Sequence, residues 1–248
     1  MSARNKYVER IIPSETSERL YFNHLKRYEF ARAFVDGKHV LDLACGVGYG
    51  TAYLADAAQH AVGVDVSWEA IEYAVKHYNR ANVSFAQGDA LMMPFSSSSF
   101  DAVISFETIE HVPDAELYLA EVKRLLKPNG VYIVSTPAAK TYTRTPANPY
   151  HVQEWPPAEF EALLRRFFSS VALYSQHKLY SQHKLKQAAA VAVKKADRFN
   201  LRLLIPKPAR LFIARALGLR TMYDVKMEHI TITPGVHPDA TETVCVCQ

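Results

Sequence analysis

Val40-Leu41-Asp42-Leu43-Ala44-Cys45-Gly46-Val47-Gly48-Tyr49-Gly50 is an apolar run with one embedded carboxylate, followed by glycines at alternate positions. A short apolar run before a turn reads as a buried strand. The glycines remove Cβ atoms where the chain must bend tightly and approach a ligand closely. Thr51 to Ala57 then reads as a helix. A strand, a nucleotide-binding turn and a helix in succession decide the fold class. The spacing is Gly-x-Gly-x-Gly, one residue shorter than the Gly-x-Gly-x-x-Gly of dinucleotide enzymes.

The neighbouring segments extend the pattern. Ala61-Val62-Gly63-Val64 predicts a second strand ending in Asp65, 19 positions beyond Gly46. That is close to the roughly 20-residue offset at which an acid meets a ribose diol. Val83 to Ala90 predicts a third strand whose exit carries Asp89, and Phe100 to Phe106 a fourth. Pro128-Asn129-Gly130 turns into a fifth, Val131 to Ser135. Helices are expected over Asp114 to Lys127 and from Pro156-Pro157 to Phe167, and strands over Ser169 to Tyr174 and Thr241 to Cys247. Strands alternating with helices predict an α/β, doubly wound, mostly parallel sheet with helices on both faces.

With acids at successive strand ends, Asp42 inside the first strand and Gly46-x-Gly48, the chain resembles the class I S-adenosylmethionine (SAM)-dependent methyltransferases. Within them it is similar to the broad ubiquinone/menaquinone-biosynthesis-like (methyltransferase type 11) group. The resemblance implies a Rossmann-like sheet of seven strands with an antiparallel last strand, closed by a hairpin, with helices before the sheet covering the pocket. It implies SAM as cofactor and S-adenosylhomocysteine as product. Asp65 then meets the ribose and Asp89 the adenine amino group, while Gly46 and Gly48 hold the amino-acid end. Asp42, Ala44, Val66, Ala90 and Phe106 join them as cofactor contacts, and Arg27 and Tyr28 meet the cofactor's carboxylate. A nicotinamide or flavin dinucleotide is the rival ligand; the early third glycine and the chain length count against it.

Methyl transfer demands alignment of acceptor and cofactor first, and a base where the acceptor must lose a proton. The fourth strand exits into Phe106-Glu107-Thr108-Ile109-Glu110-His111-Val112, which makes His111 a candidate base. A histidine tied to backbone is the plainer reading. His151, in Pro149-Tyr150-His151-Val152-Gln153-Glu154-Trp155, is the second candidate, with Tyr150 and Trp155 as acceptor walls. This segment, with Glu9-Arg10-Ile11-Ile12-Pro13 and His24 to Tyr28, looks like bacterial methyltransferases that act on glycans and other small molecules. Its plainer reading is a loop histidine that braces the fold through Glu154. Glu107-x-x-Glu110-His111 also resembles a metal-associated pattern of ubiquinone-biosynthesis O-methyltransferases, in which one helical face would carry all three side chains. Because Glu-His here is widespread in relatives without a metal need, no metal is expected.

At 248 residues and 49% hydrophobic composition the chain suits a single domain over 1–248. Within it, 1–36 reads as an N-terminal helical cap, 37–177 and 241–248 as the core sheet, and 178–240 as a basic helical insertion. Residues 178–220 hold eleven Lys and Arg against the single acid Asp197, whereas the whole chain is only +4. Such a segment suits a cap over the acceptor pocket or peripheral contact with an anionic membrane. Nucleic acid is not expected, since no recognised RNA-binding module accompanies the charge. At the start of this segment Tyr174-Ser-Gln-His-Lys-Leu179 repeats at once as Tyr180-Ser-Gln-His-Lys-Leu185. The three cysteines form no disulfide framework and read as small buried side chains. No apolar run approaches about 18 residues and no signal-peptide pattern opens the chain, so a cytoplasmic protein is expected. The functional expectation is O-methylation of a hydroxyl on a sugar, lipid-linked glycan or small biosynthetic intermediate. N-methylation of a small-molecule amine is the nearest alternative. A non-catalytic SAM-binding protein docking through its basic segment is the alternative of another class.

Overall fold

A computed structural model describes residues 11–178 and 227–248. In chain order the elements are α1 (Glu18–Arg32), β1 (His39–Leu43), α2 (Tyr49–Leu54), β2 (His60–Asp65), α3 (Trp68–Tyr78), β3 (Val83–Gln87) and β4 (Phe100–Phe106). They continue with α4 (Ala115–Leu125), β5 (Leu126–Pro137), α5 (Pro157–Leu164), β6 (Val171–Lys178), a 3-10 turn (Met227–His229), β7 (Ile230–Pro234) and β8 (Glu242–Cys247). All strands join one sheet in the order β3-β2-β1-β4-β5-β8-β6-β7. The first five are parallel. β8 runs antiparallel between β5 and β6, and β7 pairs antiparallel with β6.

The sheet has eight strands where seven were expected. The additional strand, β7, falls within residues 178–240, the stretch read as a helical insertion. Ile230-Thr231-Ile232-Thr233 alternates β-branched residues, and its backbone groups complete the edge of β6. Residues 174–178 of the first copy of the duplicated hexapeptide lie in β6, where Ser175, Gln176 and His177 are buried. The second copy and the basic stretch from 179 to 226 lie outside the described residues, as do residues 1–10. Before the sheet one helix, α1, is present among the described residues.

Two apolar layers cover the sheet. Leu41, Leu43, Val103 and Tyr132 pack beneath α4 and α5, against Tyr118, Leu119, Val122, Phe160 and Leu164. Val40, Ile104, Phe106 and Ile133 point to the other face, against Tyr28 and Ala31 of α1 and Leu54 of α2. Alternation along β1 therefore sends Asp42 toward α1 and α2, the face on which its hydrogen-bond partners lie. Local signals set the helix starts. Asp114 accepts from the N–H groups of Glu116 and Leu117 at 3.0 and 2.9 Å, capping α4. Ser67 caps α3, and Pro157 occupies the first turn of α5. All three cysteines are buried and free.

The approach of α1 to α2 depends on Gly50, since a Cβ there would overlap the Tyr28 ring. Gly50→Ala is expected to cost about 1–3 kcal/mol through overpacking. Urea unfolding of the variant against the parent protein measures this, and an unchanged midpoint would contradict the packing described.

Candidate functional site

Strand order reverses direction between β1 and β4, with β2 and β3 on one side and β5 on the other. Open α/β sheets bind ligands at such a switch, outside the carboxyl ends of the strands. Backbone conformation marks the same place. Ala44, after β1, and Glu107, after β4, are non-glycine residues with φ of 62° and 53°. Left-handed backbone costs about 1–2 kcal/mol outside glycine, and such strain gathers at functional sites.

Asp65 organises the first half of the crevice. Its Oδ2 accepts the Gly46 N–H and its Oδ1 the Ser67 N–H, both at 2.9 Å. Its backbone carbonyl accepts the Gly88 N–H at 3.1 Å. The exits of β1, β2 and β3 are thus tied to one residue, and each carboxylate oxygen keeps a further lone pair for an incoming donor. Gly48 begins α2 with φ of 84°, and a Cβ there would meet Ala74 and the Phe85 ring. Over Gly46 the space is open. Val66 and Trp68 are exposed beside Asp65. Asp89 is exposed and accepts the Leu91 N–H at 2.9 Å, with Ala90 half-buried next to it.

Asp42 is fully buried. Thr51 Oγ1 donates to its Oδ2 at 2.6 Å and the Tyr28 hydroxyl to its Oδ1 at 3.2 Å. Burial, opposed by these two hydrogen bonds, pushes the carboxyl up to about 7. Burial likewise raises the Tyr28 hydroxyl and the neighbouring Cys45 thiol, keeping both protonated. Tyr28 was expected at the cofactor's carboxylate end, but its hydroxyl is committed to Asp42 inside the fold. The neighbouring Arg27 has the free donors. Its guanidinium is 1% exposed, meets Gln176 Oε1 at 3.3 Å and lies 5.8 Å from the Phe106 ring centroid. Its Nε and Nη2 are buried without a partner, a cost that an anion would relieve. Phe106 itself is buried, edge-on to Tyr28 at 5.0 Å.

On the other side of the crevice, residues 107–111 form a turn rather than a helix, so Glu107, Glu110 and His111 do not share a helical face. The left-handed backbone at Glu107 turns its carboxylate to the Ser135 hydroxyl at 2.9 Å. Glu110 is fully buried: its Oε2 accepts from Thr136 at 3.2 Å, and its Oε1 has no partner. Burial raises this carboxyl well above the usual range, and Glu107 adds to the shift. The Glu110 carbonyl also accepts the Val152 and Gln153 N–H groups, fixing the 148–155 loop over the exit of β4.

The fixed loop brings His151 against His111, ring centroids 4.8 Å apart and edge to face. His111 Nδ1 faces the Tyr150 carbonyl at 2.9 Å. A carbonyl only accepts, so Nδ1 carries the proton and Nε2 the lone pair of the neutral ring. His151 Nδ1 lies 2.6 Å from Glu154 Oε1, and its Nε2 2.9 Å from the Asn148 amide nitrogen. Both plainer readings of these histidines, a backbone tie for His111 and a Glu154 brace for His151, are therefore realised, and they orient the pair. Tyr150 stays 47% exposed, whereas Trp155 is buried against Phe160 and lines the core instead of the crevice. Sequence reasoning named both histidines but gave no sign that they meet. Arg27 it placed by resemblance alone, with nothing to indicate that its donors are orphaned.

Residues 41–134 match a family model described as a methyltransferase domain. A probable S-adenosylmethionine-dependent methyltransferase of Mycolicibacterium smegmatis is 34% identical over 160 residues, covering 63% of this chain and 62% of that protein. A fatty-acid O-methyltransferase of the same organism is 35% identical over 159 residues, covering 62% and 54%. The chain thus spans between about half and two thirds of these curated relatives. A Thermotoga maritima crystal structure described as a SAM-dependent methyltransferase, possible histamine N-methyltransferase, superposes with TM-score 0.62. The match covers 92% of this chain and 90% of that one at 16% identity, a likeness that shows the fold alone. Among the described residues no helix is long and apolar enough to cross a membrane.

In the unfolded chain Asp42 ionises near pH 4, whereas in the fold it does so near 7. Its contribution to stability is therefore full below the unfolded value and is lost as pH rises toward 7. Asp42→Asn, which cannot ionise, should gain stability relative to the parent protein from pH 4 to 7. Denaturation midpoints of both proteins across that range test this; parallel pH profiles would refute it.

Proposed function

We propose that this chain, whose residues 41–134 match a methyltransferase domain, is a class I S-adenosylmethionine-dependent methyltransferase that O-methylates a hydroxyl on a sugar, lipid-linked glycan or small biosynthetic intermediate. The observation that carries this reading is the Asp65 node, which presents a carboxylate beside the open space over Gly46 at the sheet's switch point. Asp65 would hold the ribose diol and Asp89 the adenine edge, with Val66 and Ala90 beside the ring. Gly46, Gly48 and the Ala44 backbone would receive the amino-acid end. The orphaned donors of Arg27 suit its carboxylate, because a guanidinium pairs with a carboxylate in bidentate fashion. Bound there, the cofactor supplies a methyl group on a positively charged sulfur.

The chain's own part in the reaction is orientation and proton handling. His111 presents its Nε2 lone pair with the ring fixed through Nδ1, and His151 backs it edge-on. The pair is the place where a hydroxyl acceptor would give up its proton. The M. smegmatis relative named for fatty-acid O-methylation supports an acceptor carried on lipid. So does the charge of residues 178–220, where eleven cations face one acid.

Calorimetric titration should show one SAM or S-adenosylhomocysteine site and no NAD(P) site, and Asp65→Ala should abolish the former. His111→Ala should keep cofactor affinity and lower turnover about 10²- to 10⁴-fold. Failure of well-folded protein to bind SAM would end the reading, and full turnover by both the His111→Ala and His151→Ala variants would leave positioning as the whole of catalysis. The lipid reading is tested separately by vesicle co-sedimentation: binding to anionic vesicles should fall with added salt, and none at low salt would remove it.

A further inference from the structure

We propose that Glu110, His111 and His151 form a seat for a divalent transition-metal ion at the exit of β4. One ligand atom from each lies within 4.8 Å of the other two. Bonds of about 2.1 Å from Zn²⁺ to nitrogen and oxygen would draw these atoms to roughly 3–3.5 Å, a closure within reach of side-chain rotation. The set differs from the Glu107-x-x-Glu110-His111 pattern in the sequence, because Glu107 is turned away onto Ser135 and His151 arrives from a loop forty residues on.

Independent features of the surroundings point to an ion. Glu110 is a fully buried carboxyl with an oxygen that no donor reaches, and an unpartnered buried polar atom is costly until a ligand satisfies it. Each imidazole uses Nδ1 for an acceptor, the Tyr150 carbonyl for His111 and the Glu154 carboxylate for His151. These contacts resemble the carboxylate–histidine–metal and carbonyl–histidine–metal supports that orient metal-bound histidines through the nitrogen opposite the metal. The group an ion displaces is the Asn148 amide, which sits against His151 Nε2. Two nitrogens and one oxygen suit Zn²⁺ or Mn²⁺, whereas Mg²⁺ and Ca²⁺ prefer all-oxygen sets.

The inference deepens the proposed function and rests on it only for the ion's task. A seated ion would occupy the lone pair that would otherwise take the acceptor's proton, and a hydroxyl coordinated to it would lose that proton more readily, to solvent water. Binding itself is independent of methyl transfer and can be read without it.

The full chain, stripped with chelator and dialysed, is titrated calorimetrically with ZnCl₂ and separately with MnCl₂. S-adenosylhomocysteine binding is measured in parallel as the check of folding and of the cofactor reading. One saturable equivalent of at least one ion is expected, with a rise in melting temperature. Glu110→Gln and His151→Ala should lower the affinity at least tenfold, and Glu154→Gln about 10- to 100-fold. His237→Ala, which removes a different stacked imidazole pair, should leave it unchanged. Absence of saturable binding of either ion, or equal binding by Glu110→Gln and His151→Ala protein that still binds S-adenosylhomocysteine, would overturn the proposal.

Discussion

Asp42 lies fully buried within β1, and the hydroxyls of Thr51 and Tyr28 supply the hydrogen bonds that make its burial tolerable. Thr51 belongs to α2 and Tyr28 to α1, so one carboxyl joins the first strand to the helices on one face of the sheet. With Tyr28 held there and its ring seated on Gly50, α1 has little freedom of position. The residue before Tyr28 is Arg27, and its guanidinium is carried to the exit of β4 beside Phe106. A core interaction thereby places beside Phe106 a buried guanidinium that pairs with Gln176 and Glu242 through Nη1 and keeps two unpartnered donors. Burial of Asp42 is destabilising in itself, and what it secures is the position of α1 and α2 beside the crevice.

The two halves of the crevice are held by different physics. On the Asp65 side, carboxylate and carbonyl oxygens collect backbone N–H groups from the turns after β1, β2 and β3, so the ligand-facing surface is largely main chain. On the His111 side the backbone turns out of line at Glu107, and a buried glutamate ties an otherwise distant loop to the strand exit through its own carbonyl. The first arrangement suits recognition of a fixed ligand by close backbone approach. The second gathers titratable side chains around a small volume, which is where chemistry on an acceptor would be tuned.

Much of the fold was legible in the chain because its signals are local. The bounds of β4 were legible, since Phe100 to Phe106 is a mainly apolar run, broken only by Asp101 and Ser105, between polar segments. α4 followed from its apolar spacing, and the glycine turn from alternate glycines after β1. Asp65 and Asp89 were found by their offsets from strands. The eighth strand was missed because Ile230 to Pro234 has no parallel neighbour and gains its meaning only from the open edge of β6.

Sequence alone determined the parallel sheet, the glycine turn after β1 and the acids at the strand exits, because each depends on residues within a few positions of one another. The tertiary structure decided which side chains are free to act. It spent the Tyr28 hydroxyl on Asp42, left Arg27 without its full set of acceptors, sent Glu107 to Ser135 and brought His151 to His111 across forty residues of chain. Those outcomes depend on which buried polar groups find partners, and such competition is settled only when distant segments pack together.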